Sequence, residues 1–312
     1  MSWIELTLHT THEAVDWVCT LLAETIDIKD IYITEYAESH SANSDWKCTI
    51  QLYLPNDIGA RTSVEKIETL LSPLHRTGMT TAIETSIVET KTDIAKPLIH
   101  PIGERFVIVT SDTPDLSEIP DKITLKLPKT LAFGSGLHPA TILSLRLLER
   151  HLEAEMQVLD FGSGSGILSV AMAKMGANVL ALDNDSVAVE ATQETVSLNG
   201  VAPQVKVMQG SLGCGSELGH WLGGNTVKDV SKIETKDTFD LIVANIFARV
   251  HIALVDDFRA ALRQNSPGLL ITAGFTTDHE ESVTTALTEA GFEVIDCERL
   301  NEWVAFAHQC NS

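Results

Sequence analysis

Apolar and polar positions alternate with two different periods over the first 90 residues. A period of two residues predicts strands, and a period near 3.6 predicts helices. Helices are expected at 11–24, with Thr11 as the N-cap, and at 60–74. Strands are expected at WIELTLH (3–9), DIYITEY (30–36), WKCTIQLYLP (46–55) and TAIETSIVE (81–89). The order β-α-β-β-α-β predicts a small α+β domain with a ferredoxin-like fold.

From about residue 131 the pattern changes to short apolar strands that alternate with helices. Strands are expected at QVLDF, NVLALD, VKVMQ, FDLIVAN, GLLITAG, FEVIDC and WVAFAHQ, and helices at 139–152, 165–175, 185–198, 248–264 and 277–290. Such alternation predicts a doubly wound, Rossmann-like α/β domain with a mainly parallel sheet. The last strand follows its neighbour after too few residues for a crossover helix, so it is expected to be antiparallel.

Two segments interrupt these patterns. Residues 91–130 contain five prolines and two strand candidates, ERFVIV and KITLKL, which is typical of a connecting segment. The predicted organisation is therefore a substrate-recognition domain over 1–90, a linker over 91–130 and a catalytic domain over 131–312. Residues 213–237 are glycine-rich and then mixed in charge. An insertion, a flexible loop and a lid are all compatible with that composition, and we expect an insertion without a direct catalytic role.

Charge and cysteine content narrow the class of protein. The formal net charge is −21, from 43 acidic and 22 basic residues, which repels nucleic-acid backbones and favours a basic partner. No direct nucleic-acid binding is expected. The five cysteines are scattered, so neither a zinc site nor a redox dithiol is predicted. No apolar run suits a membrane helix or a signal peptide, and we expect a cytoplasmic protein.

The stretch MQVLDFGSGSG (156–166) carries the candidate chemistry. Its first predicted strand ends near Asp160, and Gly162, Gly164 and Gly166 form the turn into a helix. Ligands of open α/β sheets bind at such strand ends. A dinucleotide fingerprint G-x-G-x-x-G would require glycine where this sequence has Ile167, and no phosphate-binding P-loop motif is present. The spacing therefore disfavours NAD, FAD and nucleoside triphosphates.

Asp183 ends the next predicted strand, in ANVLALDND. An acid at this position can accept hydrogen bonds from the hydroxyl groups of a ribose. The glycine turn allows close approach of the backbone to a ligand, and nothing in the pattern is built for a pyrophosphate. This combination favours S-adenosylmethionine, which has a ribose and an adenine but no phosphate. The alternative interpretation is a purely structural turn beside a solvated aspartate.

Three motifs carry a resemblance to a known family. LAFGSGLHPATILSL (131–145), DFGSGSGIL (160–168) and FDLIVANIFA (239–248) occur in the order found in the bacterial PrmA family. That family comprises S-adenosylmethionine-dependent methyltransferases of protein eleven of the large ribosomal subunit. MSWIEL and HPIGERFVIV (100–109) are similar to the family's opening strand and connector. The resemblance is strong over 130–308 and weaker before that.

The resemblance implies a donor site that includes Thr141, Gly162, Asp183 and Asn245. It also implies that the ferredoxin-like domain presents a basic ribosomal protein, whose lysine side chains and N-terminal amine are methylated. The acidic charge of the chain agrees with such a substrate. The sequence departs from the family pattern by lacking the D-W-E-x-x-W stretch and by having Leu137 in GSGLHP. The usual acid near the end of the third strand is also missing, which leaves Ser211 as the candidate adenine contact.

Four further assignments have alternatives. Asn245 is expected to accept hydrogen bonds from the acceptor amine, or else to cap the following helix. Thr141 is expected to reach the donor carboxylate from the positive end of its helix, or else to be a buried, back-bonded threonine. His138 would line the acceptor channel or take a proton, or form a structural turn before proline. Phe133 would pack against the adenine or methionine group of the donor, or in the core.

The sequence thus predicts a monomeric protein N-methyltransferase that uses S-adenosylmethionine and needs no metal. One alternative is a methyltransferase with another protein, an RNA or a small molecule as its acceptor. The absence of N-P-P-[YF] after the fourth strand disfavours base or glutamine methylation. A second alternative is a donor-binding protein without catalytic activity, which the intact glycine turn, Asp183 and Asn245 disfavour.

Overall fold

The computed structural model describes residues 2–23, 31–36, 46–91, 99–110, 121–128, 136–213, 231–233, 235–264 and 267–310. The chain divides into two compact units. The first comprises Met1–His100, Ile108–Ser117 and Lys126–His138, and the second comprises Pro101–Val107, Glu118–Leu125 and Pro139–Ser312. The domain boundaries expected at residues 90 and 130 stay predictions.

The first 90 residues form the predicted β-α-β-β-α-β unit. Its elements are β1 (Trp3–Thr10), α1 (His12–Ala23), β2 (Ile31–Glu35), β3 (Cys48–Pro55), α2 (Ala60–Arg76) and β4 (Glu84–Val88). The sheet order is β2-β3-β1-β4, and every pair is antiparallel. Leu6 and Leu8 of β1 are buried because alternate side chains face the helices. Thr11 Oγ1 accepts a hydrogen bond from the Ala14 N–H over 3.2 Å, as expected of the residue that precedes α1.

The connecting segment contains one more strand than the sequence predicted. The strands β5 (Ile99–Ile102), β6 (Phe106–Thr110) and β7 (Ile123–Leu127) form a three-stranded sheet in the order β5-β6-β7. The additional strand is β5, which contains Pro101. Proline has no N–H to donate to a sheet ladder, and β5 accommodates it because it is an edge strand.

The remaining chain forms the predicted doubly wound α/β domain. Its elements are α3 (Pro139–His151), β8 (Gln157–Phe161), α4 (Ile167–Lys174), β9 (Asn178–Asp183), α5 (Ser186–Leu198), β10 (Val205–Gln209), β11 (Leu241–Asn245), α6 (Ala248–Ala253), α7 (Val255–Ala261), β12 (Gly268–Thr276), α8 (Glu280–Glu289), β13 (Phe292–Leu300) and β14 (Trp303–Cys310). The sheet order is β10-β9-β8-β11-β12-β14-β13. The pairs from β10 to β12 are parallel, and β14 is antiparallel to both of its neighbours, as predicted.

Strand order reverses between β8 and β11. The chain continues from β8 toward one edge of the sheet, through β9 and β10, and from β11 toward the other edge, through β12. α3, α4 and α5 contact one another along the sheet, and α6 contacts α7 and α8. A core of apolar side chains from β8, β11 and β12 packs against Phe258 of α7 and Val283 of α8. This reversal creates the crevice in which α/β proteins bind their ligands.

Two predictions about the second half of the domain need correction or restriction. The helix expected over 248–264 is two helices that meet at Leu254, whose backbone leaves the helical region (φ −108°, ψ 11°) and whose side chain is fully buried. The segment 213–237 lies largely outside the described residues, and its role stays a prediction. None of the helices in the described ranges is long and apolar enough to cross a membrane.

Candidate active site

The glycine turn follows β8 at the reversal of strand order. Gly162, Gly164 and Gly166 all have positive φ (77°, 53° and 76°), which bends the chain sharply into α4. The N–H groups of Gly162 and Ser163 donate to the Leu182 carbonyl over 2.8 and 3.1 Å. The turn is therefore fixed to β9, the strand that ends with Asp183.

Asp183 is oriented by the backbone on either side of it. Its Oδ2 accepts from the Gly164 N–H over 2.9 Å, and its Oδ1 accepts from the Asp185 N–H over 3.0 Å. Burial raises the pKa of this carboxyl, while the N–H groups of Asp185 and Gly164 act in the opposite direction. Each carboxylate oxygen can accept more than one hydrogen bond, so the group retains capacity for ribose hydroxyls.

Asp160, in β8 just before the turn, is a second carboxyl group near it, and sequence reasoning did not assign it a role. It is 1% exposed, and its Oδ2 accepts from Ser169 Oγ over 2.5 Å. Within the described residues, its Oδ1 has no hydrogen-bond partner. Burial raises its pKa to about 7, the nearby Asp183 adds to that rise, and the Ser169 hydrogen bond opposes it. Two adjacent carboxyl groups disfavour a pyrophosphate here and suit a positively charged ligand.

Thr192 of α5 hydrogen-bonds to the glycine turn, and sequence reasoning did not identify it either. Its hydroxyl donates to the Gly164 carbonyl over 3.0 Å and lies 2.9 Å from Ser163 Oγ. The residue is fully buried, and a Cβ on Gly166 would lie 2.9 Å from its Cα. No motif marks Thr192, because only the folded packing of α5 brings it to the turn.

Asn245 and Thr141, both expected at the donor site, are hydrogen-bonded to each other. Asn245 ends β11, and its Nδ2 donates to Thr141 Oγ1 in the first turn of α3 over 3.4 Å. The alternative role of Asn245 as a helix cap is wrong, because Phe247 occupies the N-cap of α6. Its side chain therefore contacts the first turn of α3 and does not cap α6.

Ile246 connects the two halves of the crevice. A Cβ on Gly162 would lie only 2.6 Å from Cγ2 of Ile246. On the other side, a Cβ on Gly274 would lie 2.6 Å from the backbone N and O of Ile246 and 2.9 Å from Asn245 Oδ1. Gly274 has a φ of 91° and sits in an irregularity of β12, where register with β14 shifts between Thr272 and Phe275. Glycine at 162 and 274 thus permits close packing around Asn245.

The structure does not test the roles expected for three other site residues. His138 belongs to the first unit; burial lowers its pKa, and the charge of Asp16 acts in the opposite direction. Ser211 is 2% exposed, and its backbone pairs with Ser231 and Ile233 through bonds of 3.2 and 2.9 Å. Phe133 lies outside the described residues. The roles of these three stay predictions. In the part of the chain that is described, no group of three His, Cys, Asp or Glu side chains is placed to hold a metal.

Comparisons with known proteins identify the family. The family model described as ribosomal protein L11 methyltransferase (PrmA) matches residues 2–311. Proteins named ribosomal protein L11 methyltransferase from Chloroflexus aurantiacus and Herpetosiphon aurantiacus are 36% and 34% identical, and each alignment covers 99% of this chain. They are matched over 98% and 99% of their own lengths.

A solved structure extends the similarity to three dimensions. The ribosomal protein L11 methylase from Lactobacillus delbrueckii subsp. bulgaricus superimposes with a TM-score of 0.55 at 26% identity, over 69% of this chain and 99% of that one. The glycine turn and the strand ends described above lie within the length that the family model matches. From this match, from relatives aligned end to end and from the shared fold, the chain belongs to the ribosomal protein L11 methyltransferase (PrmA) family.

Proposed function

We propose that this protein transfers methyl groups from S-adenosylmethionine to amines of ribosomal protein L11, on lysine side chains, the N-terminus or both. Membership in the family makes the chain a methyltransferase with S-adenosylmethionine as its donor. The acceptor follows from the names of its relatives, and a basic ribosomal protein suits a chain of net charge −21. We place the reaction in the cytoplasm, where ribosomal proteins are made.

The observation that carries the proposal is that two groups of residues at strand ends face each other at one crevice. The Gly162–Gly166 turn, Asp183 and Asp160 lie on one side, with backbone and carboxyl groups suited to a positively charged nucleoside. Asn245 and Thr141 lie on the other side, joined by a hydrogen bond. The contact between Ile246 and Gly162 holds the two sides together.

The residues on the turn side, together with Thr141 from the other side, are proposed to hold the donor. Asp183 would accept from the ribose hydroxyls, and the ionised carboxyl of Asp160 would favour the donor's positive charge. Thr141, in the first turn of α3, would present the positive end of that helix to the donor carboxylate. When bound, S-adenosylmethionine supplies an electrophilic methyl group on a positively charged sulfur.

Asn245 is proposed to align the acceptor. Methyl transfer to an amine forms a bond between nitrogen and carbon, breaks the carbon–sulfur bond and releases a neutral thioether, so no acid is needed at the leaving group. The amine must be deprotonated and in line. The Asn245 side-chain oxygen and nearby carbonyls would accept its hydrogens and direct its lone pair. The proton that the nitrogen gives up passes to solvent.

A labelling experiment tests the proposal. Purified protein is incubated with S-adenosylmethionine labelled in the methyl group and with ribosomal proteins from a methylation-deficient strain. Label is expected on L11, and Asp183→Ala is expected to abolish it. The matched control is Asp185→Ala, two residues away, whose carboxylate accepts the Val187 N–H at the start of α5. Label on RNA alone, on another protein alone or nowhere would reject L11 as the acceptor.

A further inference from the structure

His251 is a buried histidine that the proposed reaction does not use. It lies on α6, six residues beyond Asn245, and is 0% exposed. Its ring packs against Phe275 and Phe258, with centroid separations of 5.4 and 6.4 Å. A fully buried imidazole between two aromatic rings is costly unless its polar atoms serve a purpose.

Among the described residues, Nε2 of the ring hydrogen-bonds a carbonyl at the edge of the crevice, and Nδ1 is buried without a partner of normal geometry. His251 Nε2 lies 2.9 Å from the Ala273 carbonyl oxygen. Burial lowers its pKa to about 4, while the Ala273 and Ile246 carbonyls oppose that change. The ring is therefore neutral near pH 7 and carries one proton. Because a carbonyl oxygen only accepts hydrogen bonds, Nε2 holds that proton and donates it.

The same carbonyl holds the residue after Asn245. The Ile246 N–H donates to the Ala273 oxygen over 3.0 Å, so this oxygen accepts from both Ile246 and His251. The next residue, Gly274, leaves no room for a side chain against Ile246 and Asn245. His251 thus hydrogen-bonds β12 next to its irregularity, at the point where β12 packs against the end of β11.

We propose that His251 is a positioning residue for methyl transfer, which acts through the Ala273 carbonyl to hold Asn245 and Ile246 where the acceptor amine is aligned. Its contribution to catalysis rests on the proposed function, since it presupposes that Asn245 directs the amine. Its role in holding the Ile246 backbone does not depend on the proposed function. A displacement of the Asn245 side chain by a fraction of an ångström would slow methyl transfer and leave the donor turn intact.

Three substitutions separate the hydrogen bond from the volume of the ring. His251→Phe keeps an aromatic ring and removes the donor. His251→Gln places an amide nitrogen near the position of Nε2, whereas His251→Asn places it near Nδ1 and falls short of Ala273. The Gln and Asn variants are matched in polarity, so a difference between them reports the position of the donor rather than the loss of the histidine.

The rate of methyl transfer to L11 is measured for wild type and each variant, and donor affinity is measured by calorimetry. Both measurements are made below the unfolding temperature of every variant. For His251→Phe and His251→Asn, kcat is expected to fall about tenfold with donor Kd and acceptor KM within about twofold of wild type. His251→Gln is expected to recover most of kcat. Equal kcat in the Gln and Asn variants, unchanged kcat in the Phe variant, or parallel loss of donor affinity would overturn the proposal.

Hydrogen exchange gives a readout that does not depend on the acceptor. Exchange at the Ile246 amide, followed by mass spectrometry of the surrounding peptide, is expected to be faster in the Phe and Asn variants than in wild type and the Gln variant. Unchanged exchange in all variants would overturn the role of His251. If the wild type does not methylate L11 but the exchange pattern is found, the proposed acceptor is wrong and the positioning of Ile246 stands.

Discussion

The side chain of Ile246 lies directly against Gly162, so close that a Cβ on that glycine would come within 2.6 Å of Cγ2. Gly162 opens the turn after β8, and Ile246 follows the last residue of β11. One contact therefore joins the proposed donor side of the crevice to the proposed acceptor side. Added volume at Gly162 would press against Ile246 and is therefore expected to disturb both sides together.

Gly162→Ala is expected to abolish donor binding, because the added methyl group would displace Ile246 and the backbone has a φ of 77°. Calorimetric titration with S-adenosylmethionine measures the effect. Gly200→Ala is the control: its φ is 68°, but nothing lies within 4 Å of the added Cβ. It is expected to cost about 1 kcal/mol of stability for the backbone conformation alone, with normal donor binding. Equal donor affinity in the two variants would contradict the role of the contact.

Asp183→Ala is expected to weaken donor binding about ten- to a hundredfold, because it removes the carboxylate that orders Gly164 and that is proposed to accept from the ribose hydroxyls. Asp185→Ala instead removes the N-cap of α5 and is expected to cost about 1 kcal/mol of unfolding free energy without changing donor affinity. Calorimetry and urea denaturation of both variants distinguish the roles. Similar losses of donor affinity would show that Asp183 acts only through the fold of this loop.

Thr192→Val is expected to weaken donor binding by about 1 kcal/mol for each hydrogen bond it removes, since the Gly164 carbonyl and Ser163 hydroxyl lose their partner. Thr195, one turn further along α5, is equally buried, and its hydroxyl has no partner among the described residues. Thr195→Val is therefore expected to be neutral or stabilising. Donor titration and thermal unfolding test the pair, and a reversed order of effects would contradict the assignment.

Asp160 is expected to make folding depend on pH in an unusual direction. Its pKa is about 7 in the folded protein, above the value near 4 of an exposed carboxyl. Between these values the folded chain retains a proton that the unfolded chain releases, so this group lowers stability as pH rises from about 4 to 7. Above that range the penalty is complete and constant.

Asp160→Asn removes the ionisation and keeps an acceptor for Ser169. The unfolding free energy of the variant minus that of wild type is expected to increase from pH 4 to 7 and then to level off. Urea denaturation at a series of pH values gives this difference directly. A difference that does not vary with pH would show that Asp160 has an ordinary pKa.

Sequence periodicity was sufficient for most of the fold because the strands of the α/β domain are short apolar runs, such as β8 and β11, separated by segments with helical spacing. The order of elements from β8 to β14, and the antiparallel direction of β14, follow from pattern and connection length alone. It was not sufficient where packing overrides local preference. At Leu254, which is fully buried, a continuous helical pattern without glycine or proline is divided into two helices.

The candidate site was predictable where residues follow strand ends in a parallel sheet. Gly162 and Asp183 were expected together for that reason, the resemblance added Asn245 and Thr141, and the structure joins these last two by a hydrogen bond. Thr192, Gly274 and His251 were missed because they act through contacts distant in sequence. Their chemistry appears only when α5, β12 and α6 are packed against the crevice.

The position of β14 has a consequence for how the enzyme is made. Trp303–Cys310 lies between β12 and β13, so this interior strand is synthesised after both of its neighbours. Until it is made, β12 is paired only with β11, and β13 has no partner among the described strands of this sheet. The sheet is therefore completed by a strand that enters between two strands already present, rather than by addition at an edge.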